Sequence, residues 1–253
     1  MNKGGLRSER TTINSDMGES IGIHSFGNDD DLLALVDTIN VACGLHAGDP
    51  GSMQRVVERA VAARVTIGAH PGLPDIVGFG RREMAIDADE ARDLIRYQVG
   101  ALVGFLDANG ARLHHIKPHG ALFGMMASNE SLMGALCDVA VQYGVPVFGL
   151  AGTAHERVAV RRDVAFVSEF YVDLDYNDDG TVRVGRKPEP MDLALVRART
   201  VQALTESTTI AASGMTIKVR PESICIHSDL PLAQDSAKCV RSVLEDQPRI
   251  TAR

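Results

Sequence analysis

Short apolar runs of β type alternate with longer stretches of helical periodicity along the whole chain, the order expected of βα units built on a parallel sheet. Seven runs read as strands: Thr11 to Asn14, Thr38 to Ala42, Val65 to Gly68, His114 to Lys117, Val147 to Leu150, Ala165 to Ser168 and Ser223 to Ile226. The spacing between them predicts helices. Over Pro50 to Ala63, Met53, Val56, Val57, Ala60 and Val61 fall on one helical face, behind an N-cap at Asp49 and a proline at the first helical position. Asp87 and Glu90 have the spacing of a capping box, ahead of a face carrying Ala91, Leu94, Ile95, Leu102 and Leu106. Further helices are expected near Glu130 to Tyr143, Met191 to Leu204 and Ala233 to Leu244, and Asp175 to Gly180 reads as a turn closing a small hairpin. No linker, low-complexity tract or internal repeat interrupts the series, which predicts one domain over residues 1–253, with residues 1–10 flexible.

Composition narrows the class. With 253 residues, 45% of them hydrophobic, the chain can bury a core without disulfide staples or a structural metal. A net charge of −7 and the lack of a basic run argue against nucleic acid. The start of the chain does not resemble a signal peptide, and no apolar stretch is long enough to span a membrane, so a cytoplasmic protein is expected. Cys43, Cys137, Cys225 and Cys239 form no CxxC pair and read as reduced thiols. Aromatic residues make up only 4%, which disfavours a sugar-stacking platform.

The residues just beyond each strand carry the chemistry, because parallel α/β folds collect reactive groups at the carboxyl ends of their strands. Those ends read NSDMGES, NVACGLHAGD, GAHPGLPD, KPHGAL, GLAG, SEFYVD and IHSD, and six of the seven carry a charged or imidazole group. The opposite ends show no such enrichment, which argues for a site at one mouth of a barrel.

Four histidines lie on these ends, His46, His70, His119 and His227, whereas His24, His114, His115 and His155 are less clearly placed. An imidazole there serves as base, metal ligand or hydrogen-bonding partner; a single one is as often bonded to a neighbouring loop, but four together favour a site. Asp16, Glu19, Asp49, Asp75, Glu169, Asp173 and Asp229 are the matching carboxylates, suited to Mg²⁺ or to acid–base work. Asp49 has a competing role as a helix cap and Asp75 as a turn residue, while Asp16 and Glu19 have no evident helix to cap. Lys117, at the end of an inner strand, needs a charged partner or a substrate anion. In GFGRR, Arg81 and Arg82 are able to grip phosphate or carboxylate. Neither a Walker motif nor a strand-linked GxGxxG is present, and no GxSxG elbow. A thiol nucleophile at Cys43 beside His46 is a weaker alternative than a small packed residue.

The segments NSDMGESIG, NVACGLHAGDP, GAHPGLPDIVGFGRR, YQVGAL, IKPHGALF and IHSD, in this order and spacing, resemble the LamB/YcsF family, whose bacterial members serve as the A component of 5-oxoprolinase. The likeness runs from about Ile13 to about Leu244. It implies a seven-stranded parallel β/α barrel similar to the glycoside hydrolase/deacetylase superfamily. It also implies ATP-dependent opening of 5-oxoproline to glutamate together with partner subunits B and C. A lactam is an unactivated amide, and phosphorylating its carbonyl oxygen makes carbon–nitrogen cleavage accessible.

Under that scheme Asp16, Glu19, His46, His70, Lys117 and His119 are the catalytic candidates. Lys117 with Arg81 or Arg82 would offset phosphoryl charge, the histidines would handle protons, and Asp16 and Glu19, with His70, would hold a divalent ion such as Mg²⁺. Asn14, Asn40, Asp49, Arg81, Arg82, Glu169, Asp173, His227 and Asp229 are the candidates for binding substrate or nucleotide. The chain departs from the family pattern at Ser15, where a cysteine is usual, at Leu174, where an arginine is usual, and at Ser228, within a motif that is usually H-G-D. Losing that guanidinium removes a fixed cation, so a relative acting on another lactam or cyclic amide stays in view. So do a metal-dependent deacetylase, by analogy of fold alone, and a non-catalytic binding subunit. A homo-oligomer is left open.

Overall fold

The computed structural model describes residues 10–25, 27–183 and 191–246, so most of the expected flexible N-terminal segment lies outside the described residues. Seven parallel strands close a barrel: β1 (Thr12–Met17), β2 (Thr38–Ala42), β3 (Thr66–His70), β4 (Leu113–Ile116), β5 (Val147–Gly149), β6 (Phe166–Tyr171) and β9 (Ser223–His227). β9 pairs with both β1 and β6 and completes the ring. Helices α1 (Asp29–Leu33), α2 (Pro50–Ala63), α3 (Ala88–Ala108), α4 (Gly120–Ser128), α5 (Glu130–Tyr143), α6 (Ala154–Arg161), α7 (Leu193–Glu206) and α8 (Ala233–Asp246) connect the strands, and β7 (Thr208–Ile210) pairs antiparallel with β8 (Thr216–Lys218) between α7 and β9.

All seven barrel strands coincide with sequence-predicted runs, but β1 and β6 continue three residues further than the patterns imply. Polar residues after Asn14 and Ser168 read as loop, yet here they are strand residues whose side chains find partners inside the barrel. Residues of one parity, Ile13 and Met17 of β1, Ile39 and Val41 of β2, Ile67 and Ala69 of β3, and Ile224 and Ile226 of β9, belong to the apolar core between sheet and helices. Residues of the other parity bond to one another across the lumen, as Asn40 does to Asn14 (2.8 Å) and Asp16 (2.7 Å). Strand alternation thus separates a greasy jacket from a polar lumen.

The helix signals act as read. Asp49 accepts the Ser52 amide at 2.8 Å and Pro50 opens α2. Asp87 and Glu90 form both halves of the capping box that starts α3. Helix α4 is the largest miss. Its sequence, GALFGMMAS, is apolar almost all round, so it carries no amphipathic period; Leu122, Phe123, Met126 and Ala127 are its buried residues. The turn after β6 exists as a bridge between Tyr176 and Val182. No helix among the described residues is long and apolar enough to cross a membrane.

The Asp49 carboxylate also accepts the Gly22 amide at 2.6 Å, outside the barrel mouth. The carboxylate thus has a structural role, tying the start of α2 to the Gly22 loop. Asp49→Ala is expected to lower stability by about 1 kcal/mol, or roughly 2–4 °C in Tm, by calorimetry. A variant as stable as wild type would remove the cap from the account.

Candidate functional site

Register places the reactive groups side by side. Asp16 lies level with Asn40 on one neighbouring strand and with His227 on the other, and His70 lies level with Ala42. From the end of β4 the Lys117 side chain, 1% exposed, enters the lumen. Its ammonium sits 2.9 Å from Asp16 Oδ1, 3.3 Å from Glu169 Oε1, 3.3 Å from Asn14 Oδ1 and 3.0 Å from Cys225 Sγ. Burial works against the charge, but Asp16, then Cys225 and Glu169, outweigh it and hold Lys117 well above the ordinary lysine range. Burial likewise works to raise the Asp16 carboxyl. His70 and Lys117, then His227, overcome it and keep Asp16 ionised, well below the ordinary carboxylate range.

Lys117 is thus already neutralised by two carboxylates. Its charge holds Asp16 and Glu169 in place.

Around this pair a narrow cleft opens at the carboxyl ends of the strands. Of the predicted residues, Asp16, His70, Arg81, Lys117, His119 and His227 line it, with Phe123, Tyr171 and Leu174. His227 donates from Nδ1 to Asp173 Oδ1 at 3.0 Å and from its backbone N–H to Asp173 Oδ2 at 2.8 Å, which leaves Nε2 facing Asp16 Oδ2 at 3.8 Å. Burial lowers the His227 pKa, but Asp173, with Asp16 and Asp229, outweighs it and the net direction is upward. A histidine oriented through Nδ1 by a carboxylate, with Nε2 at a cleft, has the geometry of a general acid–base group. The sequence had placed His227 and Asp173 among binding residues only.

Arg81 and Arg82 part company. Arg81, whose side chain is largely buried, pairs with Asp229 at 2.9 Å and lines the cleft, and its buried Nε has no hydrogen-bond partner. Arg82 is half-exposed and pairs with Asp75, which clasps its own loop. Asp75 also accepts the Gly78 amide at 2.9 Å.

The histidines form a second cluster beside the Lys117 network. His46, His70 and His119 converge with Glu19, all buried, while Asp16 falls in a separate group with Cys225 and His227. Asp16 and Glu19 thus fall in different groups, although Asp16 Oδ2 lies 3.4 Å from His70 Nε2. His46 stacks on His119 with centroids 3.8 Å apart. Burial, then Asp229 and Asp16, push the Glu19 carboxyl well above its ordinary range, and Arg81 offsets only part of this.

Cys43 is inert, since burial pushes its thiol up to about 12. Tyr171 went unremarked in the sequence. It donates to Glu169 Oε2 at 2.9 Å and stacks on His227 at 5.6 Å, and only its place after a predicted strand end marked it. His115 is a further lumen residue, with Nε2 at 2.5 Å from Asn40 Oδ1.

The LamB/YcsF sequence profile matches residues 11–252. The chain belongs to the LamB/YcsF family. Among its relatives, the lactam utilization protein lamB of Emericella nidulans is 42% identical over 242 residues, covering 94% of this chain and 95% of that one. The 5-oxoprolinase A subunit of Tolumonas auensis is 40% identical over 237 residues, covering 92% and 94%. The crystal structure of a lactam utilization protein from Thermus thermophilus superposes with a TM-score of 0.84 at 36% identity, covering 93% of this chain and 96% of that one.

Outside the site, His155 accepts the Leu150 amide at Nδ1 (3.1 Å) and donates from Nε2 to the Phe123 carbonyl (3.0 Å), which fixes the neutral ring. Burial, partly offset by that carbonyl, brings its pKa down to about 4. Below about 6.5 the unfolded chain takes up a proton that the folded chain refuses, so stability is present above that pH and falls as pH drops. The urea midpoint is expected to fall from about pH 6.5 toward pH 4, and His155→Gln should flatten that fall by about 3 kcal/mol. An unchanged slope would contradict the neutral-ring assignment.

Proposed function

We propose that this chain binds and opens a lactam as the A subunit of an ATP-dependent 5-oxoprolinase, cleaving 5-oxoproline to glutamate with partner subunits B and C. The relatives' names support a lactam substrate and a multi-subunit assembly. The four free thiols suit the reducing cytoplasm.

The observation that carries the chemistry is the His227–Asp173 pair facing ionised Asp16 at the barrel mouth. ATP supplies the phosphoryl group that activates the lactam carbonyl oxygen; water opening the ring leaves an acyl phosphate, which a second water hydrolyses to glutamate and inorganic phosphate. As the carbon–nitrogen bond breaks, the departing nitrogen needs a proton, and His227 Nε2 is placed to give it. Asp173 holds the ring in the required tautomer, and Asp16 orients the attacking water. Arg81, which lines the cleft with its buried Nε unsatisfied, donates to the substrate carboxylate or the phosphoryl group. Tyr171 supplies a flat wall for the ring.

A second reading rests on Leu174. This buried, apolar residue lines the cleft where family members usually carry an arginine. That favours a lactam without a carboxylate.

ATP hydrolysis by the complex of this chain with B and C subunits is expected to rise on adding 5-oxoproline. His227→Gln should cut kcat by about 100-fold or more. Stimulation by the unsubstituted five-membered lactam, in place of 5-oxoproline, would favour the second reading. ATP turnover indifferent to any lactam and to His227→Gln would refute both.

A further inference from the structure

We propose that Glu19, His46, His70 and His119 bind one divalent transition-metal ion, of the zinc, cobalt or manganese kind, at the wall of the cleft. The four donor atoms lie within 4.8 Å of one another, and every one of these residues is buried. Metal–ligand bonds of about 2.0–2.2 Å place donors roughly 3–4 Å apart, so the donors must draw together and the His46 ring, stacked parallel on His119, must turn to bring a nitrogen into line.

Hydrogen-bond accounting makes the case. His70 Nδ1 lies 2.8 Å from the Lys117 carbonyl and His119 Nε2 lies 2.7 Å from the Phe79 carbonyl. A carbonyl only accepts, so both of these nitrogens carry hydrogen. The two remaining nitrogens, His70 Nε2 and His119 Nδ1, then face each other at 2.9 Å with a lone pair each, and Asp16 Oδ2 lies 3.4 Å from His70 Nε2. Something positive belongs between them, either a third ring proton or a metal ion. Back-bonding of the far N–H to a backbone carbonyl is the arrangement that orients metal-binding imidazoles.

His46 decides between the two. Neither of its ring nitrogens has a hydrogen-bond partner, although the residue is 1% exposed. A proton shared by His70 and His119 leaves that ring unsatisfied, whereas a metal ion takes its lone pair. The backbone is shaped to admit the ring. A Cβ at Gly72 would lie 2.3 Å from His46 Nδ1, and one at Gly80, whose φ is +63°, would lie 2.7 Å from His46 Cβ. Gln98 of α3 holds Gly72 in place through two hydrogen bonds of 2.9 Å, to its N–H and its carbonyl. Glu19 brings the one carboxylate. Three imidazoles with a single carboxylate suit borderline transition ions and not Mg²⁺, which prefers oxygen ligands.

The test uses the full chain without lactam or ATP, so it stands or falls apart from the proposed reaction. Chelator-stripped protein is titrated with Co²⁺ and followed by its visible absorption and by elemental analysis. One ion per chain is expected. His46→Gln and Glu19→Gln, with folds checked by circular dichroism, should each weaken binding by at least about tenfold. His155→Gln, a buried histidine outside the cluster, should bind like wild type. X-ray absorption at the cobalt edge of the wild-type chain should show three imidazole ligands, a readout that holds even if a variant fails to fold. Stripped wild type that takes up no stoichiometric Co²⁺, an edge spectrum without imidazole, or folded variants that bind as tightly as wild type would overturn the proposal.

Discussion

A lysine ammonium inside a barrel is costly unless its charge is met, and the centre of this fold is arranged around that requirement. Lys117 is 1% exposed and touches Asp16, Glu169, Asn14 and Cys225. These partners come from β1, β6 and β9, so compensating one charge at the end of β4 ties together strands that are distant in sequence. Asn40 from β2 then bonds to Asn14 and Asp16. A pair broken on one side would leave an uncompensated charge in the lumen.

The same network sets the chemistry at the mouth. Asp16 stays ionised because Lys117 and His70 overcome its burial, and the ionised carboxylate faces His227 across the cleft. Strand alternation makes this compatible with stability. The residues between the lumen groups pack outward under the helices, so the polar interior removes nothing from the apolar jacket.

Much of the mouth was legible in the sequence, since polar residues follow the apolar strand runs, whereas the lumen residues Asp16 and Glu169 read as loop. His70, Lys117, His119 and His227 could be placed at strand ends because β-type runs precede them. What single-residue patterns do not encode is pairing. Arg81 and Arg82 are neighbours with the same chemistry, yet one reaches Asp229 across 148 positions while the other turns back to Asp75 within its own loop. The division of the acids between two clusters, with Asp16 on Lys117 and Glu19 among the histidines, also depends on barrel closure. Tyr171 and His115 were hidden because a tyrosine or histidine inside a strand reads equally well as packing. Helix α4 was hidden because its exposed positions are small or apolar too, which erases the periodicity that reveals a helix.

A double-mutant cycle on Asp16→Asn and Lys117→Met, read by urea unfolding at neutral pH, tests the central pairing most directly. Each single variant is expected to lose about 3–5 kcal/mol, because each strands a buried charge. The double variant should lose less than the sum by at least about 2 kcal/mol. Additive losses would mean that the two groups do not depend on each other, and the organising role given to this pair would fall.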